Sequence, residues 1–219
     1  MRQERPDAVI FDLDGTLVDT VAARINGWRE TLADEGIPVE TGLLEPMIGM
    51  DGRALASEVA RAAGRTLDPD EAERIDRLAG ERFDLHNRSP VALPGARDAL
   101  DRLDGAGVTW AIATSSRAEQ VAASVAALSL PAPPRIVDGS RVAHAKPAPD
   151  LLLLAAEELG VEPARSWYVG DSTWDMRAAV AAGMHPIGVL AGAAVDERAL
   201  REAGAASVLR SLGELEVRA

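Results

Sequence analysis

The stretch Ala8-Val9-Ile10-Phe11-Asp12-Leu13-Asp14-Gly15-Thr16 decides how the rest of the chain is read. Its first four residues form a continuous apolar run cut off by carboxylates and a glycine, the pattern of a short strand buried on both faces that ends in a polar loop. Similar runs recur at Val108-Thr109-Trp110-Ala111-Ile112-Ala113, Arg135-Ile136-Val137, Trp167-Tyr168-Val169 and Pro186-Ile187-Gly188-Val189. Helical patterns lie between them at residues 95–106, 117–128, 149–159 and 173–182. Strand then helix, repeated, predicts a Rossmann-like α/β core, a doubly wound parallel sheet with helices on both faces.

About ninety residues separate the first of these strands from the second, far more than a simple crossover needs. Residues 19–35, 53–63 and 69–87 each read as a helix, and no strand is evident among them. The expected organisation is therefore a core made of residues 1–17 and 92–219, interrupted by an α-helical insertion at 18–91. Thr16-Leu17-Val18 leads into the insertion, and Ser89-Pro90-Val91-Ala92-Leu93-Pro94-Gly95 leads out of it, punctuated by two prolines and a glycine.

Composition narrows the function. The 219 residues carry 23 basic and 35 acidic side chains, a formal net charge of −12, which argues against a nucleic-acid partner because a backbone-tracking surface needs a basic stripe. Without cysteine, disulfides and thiolate metal sites are excluded. Neither a signal-peptide hydrophobic region nor a stretch long enough for a bilayer is present, so the expectation is a soluble cytoplasmic protein with no membrane partner. Only one of the 23 basic residues, Lys146, is lysine, in a chain whose heavy use of Arg, Ala, Gly and Pro follows GC-rich codons. A lysine retained against that drift suggests a place where a compact ammonium does what a guanidinium fork cannot.

Ligands of doubly wound sheets bind at the carboxyl ends of the strands. Asp12 and Asp14 follow the first strand, Thr114 and Ser115 the second, and Asp171 and Asp175 the fourth, while Lys146 precedes the helix at 149–159. So many like charges together call for a cation, and hard oxygen ligands select Mg²⁺. Magnesium beside a lysine and a hydroxyl makes a phosphate site. Asp12 is the candidate nucleophile on phosphorus, and Asp14 the candidate to protonate the leaving oxygen and then activate water. Lys146 and Thr114 are candidates to hold the phosphoryl oxygens as charge spreads over them.

Taken in order, D-x-D-G-T at Asp12–Thr16, an apolar strand ending at Thr114, Lys-Pro-x-Pro-Asp at Lys146–Asp150 and G-D-x-x-x-D at Gly170–Asp175 resemble the haloacid dehalogenase superfamily of phosphohydrolases. The helical insertion after the first motif is similar to that of the subgroup containing phosphoglycolate phosphatases and β-phosphoglucomutases. The resemblance covers essentially the whole chain. It implies a Mg²⁺-dependent phosphatase acting on a small phosphorylated metabolite, with Asp12 as nucleophile and Asp14 as acid and base. It also implies Mg²⁺ held by the Asp12 carboxylate, the Asp14 main-chain carbonyl and Asp171, with Asp175 supporting that site. Ser115 stands where members often carry Asn and is the candidate for a further phosphate contact.

Within the insertion, Met47-Ile48-Gly49-Met50-Asp51-Gly52-Arg53 is either a plain helix connector or, as the resemblance implies, the loop that covers the site and selects the leaving group. On the second reading, Arg24 and Arg53 are the cations available to a second anionic substituent, as in phosphoglycolate. Two other functions compete. A phosphosugar mutase would return the phosphoryl group to a sugar, but Arg24 replaces the histidine typical of such relatives, and Glu45-Pro46 stands where they place a basic residue. A phosphoacceptor signalling module uses a different order of Asp, Thr and Lys and needs no helical insertion. Trp28, Trp110, Trp167 and Trp174 are expected in cores or interfaces, and His86, His144 and His185 lack metal-ligand spacing.

Overall fold

A computed structural model describes residues 5–40 and 42–217. In chain order the elements are β1 (Ala8–Phe11), β2 (Val18–Asp19), α1 (Val21–Asp34), α2 (Gly52–Ala62), α3 (Pro69–His86), β3 (Val91–Ala92), α4 (Ala96–Ala106) and β4 (Thr109–Ala113). There follow α5 (Ala118–Ala127), β5 (Ile136–Val137), α6 (Asp150–Leu159), β6 (Ser166–Gly170), α7 (Thr173–Ala181), β7 (His185–Val189), α8 (Glu197–Glu202) and β8 (Ser207–Leu209). Six strands form one parallel sheet in the order β5-β4-β1-β6-β7-β8, and β1 lies between β4 and β6.

The central place of β1 follows from its side chains, all four fully buried. Their alternation divides them between the two faces of the sheet. Val9 and Phe11 join a core with Leu100, Val121 and Ile187, whereas Ile10 joins another with Leu151, Ala155, Tyr168 and Ala178. Burying each large apolar side chain contributes about 1.5–3 kcal/mol, so a one-residue slip of this strand would forfeit several of these contributions together.

The sheet has one strand more than the five apolar runs suggest. Ser207–Leu209 is a three-residue, half-buried edge strand, too short and too polar at its start to stand out. The helix before it, α8, was equally inconspicuous and begins where the Asp196 side chain accepts a hydrogen bond from the Ala199 amide at 2.8 Å. A second difference lies at the insertion, where the sequence shows no evident strand. Its entry and exit pair as an antiparallel ribbon, Val18 opposite Ala92 and Asp19 opposite Val91. That pairing holds Val18 and Asp19 extended, so α1 starts at Val21 rather than at residue 19.

The three helices between these two strands share a core of their own, built from Val21, Trp28, Leu32, Leu55, Val59 and Ile75. Gly27 lets α1 and α3 close on one another, since a Cβ there would stand 2.9 Å from the Phe83 amide nitrogen. Helix α3 opens with a reciprocal cap in which Asp68 accepts from the Glu71 amide at 2.8 Å and Glu71 accepts from the Asp68 amide at 3.1 Å, with Pro69 at its first position. Among the described residues no helix is long and apolar enough to cross a membrane.

Candidate active site

The polar residues that follow β1, β4 and β6 converge at one end of the sheet. Asp12 continues the β1 ladder by donating its amide to the Val169 carbonyl at 2.8 Å, which brings its side chain to the strand end, 5% exposed. Lys146 reaches the same point from the loop before α6 and is 1% exposed. Its Nζ donates to Asp12 Oδ1 and, at 2.8 Å, to Asp175 Oδ1.

Asp175 is held from several sides. Its Oδ2 accepts from the Ser172 amide at 2.9 Å and the Ser172 hydroxyl at 2.6 Å, a reciprocal cap that starts α7, and the Tyr168 hydroxyl lies 3.0 Å from Oδ1. Asp171 accepts from the Thr16 hydroxyl at 2.8 Å. Gly15, at φ +81°, makes room for this carboxylate, because a Cβ would meet Asp171 Oδ2 at 2.3 Å.

Asp12, Asp171 and Asp175 each offer an oxygen within 4.8 Å of the others, all buried. Burial pushes the Asp12 carboxyl up to about 7, against the pull of Lys146 and with the help of Asp175 and Asp14. Burial, together with the charges of Asp175 and Asp12, also lifts Asp171 well above the carboxylate range. Lys146 is raised as well: burial opposes its charge, but Asp12 and Asp175 outweigh burial and hold it above its ordinary value. Were all three ionised, they would outnumber the one ammonium by two charges, the charge of one divalent cation.

The Asp14 side chain is turned away from this group. Its Oδ1 accepts from the Thr20 hydroxyl at 2.7 Å, and its Oδ2 accepts from Arg24 at 3.0 Å and from the Ser116 hydroxyl. Thr114 is buried at the end of β4, and its hydroxyl oxygen accepts from the Ser116 amide at 3.1 Å, which leaves its proton free to be donated. Ser115 donates to the Gly49 carbonyl of the helical insertion at 3.3 Å.

Arg24 lines the cleft, bonded to Asp14 and, at 2.7 Å, to Ser116, with its guanidinium 3.5 Å over the Phe83 ring. Arg53 does not line it. That side chain folds back on Asp51 at 2.8 Å and remains about half exposed. The loop between them docks on the strand ends: Pro46 accepts from the Trp174 indole at 2.8 Å, and the Asp51 amide donates to the Lys146 carbonyl at 3.0 Å. Gly49, at φ +96°, passes so close that a Cβ would lie 2.6 Å from Ser172 Oγ.

Sequence reading missed several neighbours. Ser116 meets Asp14 across 102 positions, so no local spacing announces it. Arg117, at the start of α5, joins the core to the insertion by donating to Glu73 at 2.8 Å and Asp76 at 2.6 Å, both on α3. Tyr168 read only as an apolar strand residue. The paired serines after Thr114 are the signal the sequence offers for Ser116.

The sequence profile of haloacid dehalogenase-like hydrolases matches residues 9–189. Hexitol phosphatase A of Escherichia coli (strain K12) is 34% identical over 209 residues, 95% of this chain and 92% of that protein. Phosphoglycolate phosphatase of Xanthomonas campestris pv. campestris (strain 8004) is 32% identical over 195 residues, 85% of this chain and 84% of that protein. A crystal structure of a hydrolase from Pseudomonas syringae superposes with a TM-score of 0.90 at 33% identity, covering 95% of both chains.

Proposed function

The chain belongs to the haloacid dehalogenase-like hydrolases, and from that premise we propose a Mg²⁺-dependent phosphatase that hydrolyses monoesters of small phosphorylated metabolites through a phosphorylated Asp12. The observation that carries this reading is the buried bridge of Lys146 between Asp12 and Asp175 inside a cluster of carboxylates. An ammonium so placed orients one carboxylate and still presents positive charge to an arriving phosphoryl group.

Lys146 occupies Asp12 Oδ1, which leaves Oδ2 as the attacking atom. As the Oδ2–P bond forms, the bond from phosphorus to the ester oxygen breaks, and Asp14 gives that oxygen its proton. Asp14 then takes a proton from water. The water oxygen attacks phosphorus, the bond to Asp12 breaks, and phosphate leaves. Lys146 and the Thr114 hydroxyl donate to the non-bridging oxygens in both steps, and Ser115 adds a further donor once its hydroxyl turns from the Gly49 carbonyl. To serve either step the Asp14 carboxyl must swing from Thr20, Arg24 and Ser116 towards Asp12, and to serve the first it must also take up a proton.

The donor set fits Mg²⁺: the oxygens are hard, buried and close together, and a divalent ion would match the two charges by which three ionised carboxylates exceed Lys146. Asp12, Asp171 and the Asp14 main-chain carbonyl would hold the ion, with Asp175 behind them. When bound, it supplies charge that lets an ionised Asp12 stand beside an anionic phosphoryl group. Water is the acceptor in this account because Arg24 is permanently charged and already paired with Asp14, and because the Pro46 turn offers a carbonyl and the acidic Glu45 in place of a cation that would grip a second phosphate. The helical unit at 18–91 acts as a cap.

The test is a panel of phosphate monoesters with Mg²⁺ and with chelator. Phosphate should be released from some of them with the ion and from none without it. Inactivity across the whole panel with Mg²⁺ would refute the proposal.

A further inference from the structure

Resting on the phosphatase reading, we infer that the cleft selects a leaving group that is rich in hydroxyl donors and free of negative charge, and that it rejects one bearing a carboxylate or a second phosphate. The inference comes from where the charges of the cleft are already committed.

Two cations line the cleft, Arg24 and Arg117, against four carboxylates, Asp12, Asp14, Asp76 and Asp171. The charge of both is already matched, although each makes its bonds through Nη2 alone. Arg24 is bonded to Asp14 and Ser116 and stacked on Phe83, and Arg117 holds both Glu73 and Asp76. Arg53 is folded onto Asp51 and does not line the cleft, and Lys146 is committed to Asp12, Asp175 and the phosphoryl group itself. An anionic substituent would have to draw Arg117 from two carboxylates or settle beside Asp76, and like charges brought together at a desolvated site oppose binding.

The same residues suit hydroxyl donors. Asp76 uses Oδ2 for Arg117, while Oδ1 has no hydrogen-bond partner among the described residues and so remains an acceptor at the cleft wall. Space for it is provided at the start of α2, where a Cβ on Gly52 would lie 1.8 Å from Asp76 Oδ1. Trp28, Ile48 and Leu55 supply the apolar part of the wall, against which the C–H face of a polyol can lie. A carboxylate substituent offers acceptors only, and Asp76 cannot satisfy them.

Two pairs of esters of nearly equal size isolate the charge: 2-hydroxyethyl phosphate against 2-phosphoglycolate, and glycerol 3-phosphate against 3-phosphoglycerate. With Mg²⁺ present, kcat/KM should favour the neutral member of each pair by at least about tenfold. The double variant Glu73→Gln/Asp76→Asn removes both counter-charges from Arg117, and the neutral-to-anionic ratio should fall at least about fivefold. A ratio is read, so general loss of activity cancels, and Asp76→Asn alone carries the same test should the double variant not fold. Equal or better turnover of the anionic esters, or an unchanged ratio in folded variants, would overturn the inference. Release of no phosphate from any ester, p-nitrophenyl phosphate included, would overturn the phosphatase reading with it.

Discussion

Replacing Lys146 separates the two things its ammonium does. In the folded protein Nζ is shared between Asp12 and Asp175 at 1% exposure, 5.5 Å from the centre of the Tyr168 ring. Lys146→Met keeps the volume and removes the charge, leaving Asp12, Asp171 and Asp175 buried with no cation among them. Breaking a buried pair in this way costs about 3–5 kcal/mol. For a chain of this size that corresponds to a melting temperature about 6–20 °C lower in the absence of metal. Lys146→Arg keeps the charge but must fit a planar fork where three hydrogens on one nitrogen now serve two carboxylates. Overpacking of a filled site costs about 1–3 kcal/mol. The larger effect should be on turnover: a donor displaced from the phosphoryl oxygens costs about 10²–10³-fold in kcat. Thermal melts with chelator and steady-state rates with Mg²⁺ measure the two effects independently. An Arg variant with kcat within about threefold of the parent would refute the reasoning, because a point charge and a fork would then be interchangeable at this position.

Three further outcomes follow from the same geometry. Gly15→Ala should lose metal-dependent activity and stability together, since its Cβ would meet Asp171 Oδ2 at 2.3 Å in a backbone held at φ +81°; wild-type rates would show that the turn yields freely. Asp12 is raised from 3.8 to about 7 in the fold, so the folded state holds that proton more tightly. Its contribution to stability is full below about pH 4 and is lost as pH rises through about 7. In urea melts with chelator, Asp12→Asn should therefore gain on the parent between those values, and parallel profiles would contradict the assignment. Magnesium should raise the melting temperature more at pH 8 than at pH 6, because the ion competes with protons on Asp12 and Asp171, and a shift that does not depend on pH would count against that site.

The strand ends were readable because chemistry and topology coincide there. A short apolar run followed at once by Asp12 and Asp14, and another followed by Asp171 and Asp175, carries its meaning within six residues. The centre of the sheet was likewise legible, since strands buried on both faces are apolar throughout. What escaped had no local signature. Ser207–Leu209 gains its strand conformation only by pairing with Ile187–Val189. Val18–Asp19 does so only by meeting Val91–Ala92, more than seventy positions away. Arg24 and Arg53 looked alike as cap cations, yet one reaches Asp14 across the cleft and the other caps itself on a carboxylate two residues earlier. That difference depends on how the helices of the insertion pack, through contacts such as Gly27 against Phe83, and no spacing along the chain encodes it.

The central claim is that Asp12 is the atom donor to phosphorus, and trapping the phosphorylated chain tests it without inference from rates. Enzyme turning over with Mg²⁺ is quenched in acid and reduced with borohydride, which converts an aspartyl phosphate, and no free carboxylate, into homoserine. Peptide mass spectrometry should find homoserine at position 12, in proportion to the enzyme phosphorylated, and none at Asp14, Asp171 or Asp175. An active preparation that yields no homoserine, or yields it at one of the other aspartates, would contradict the account.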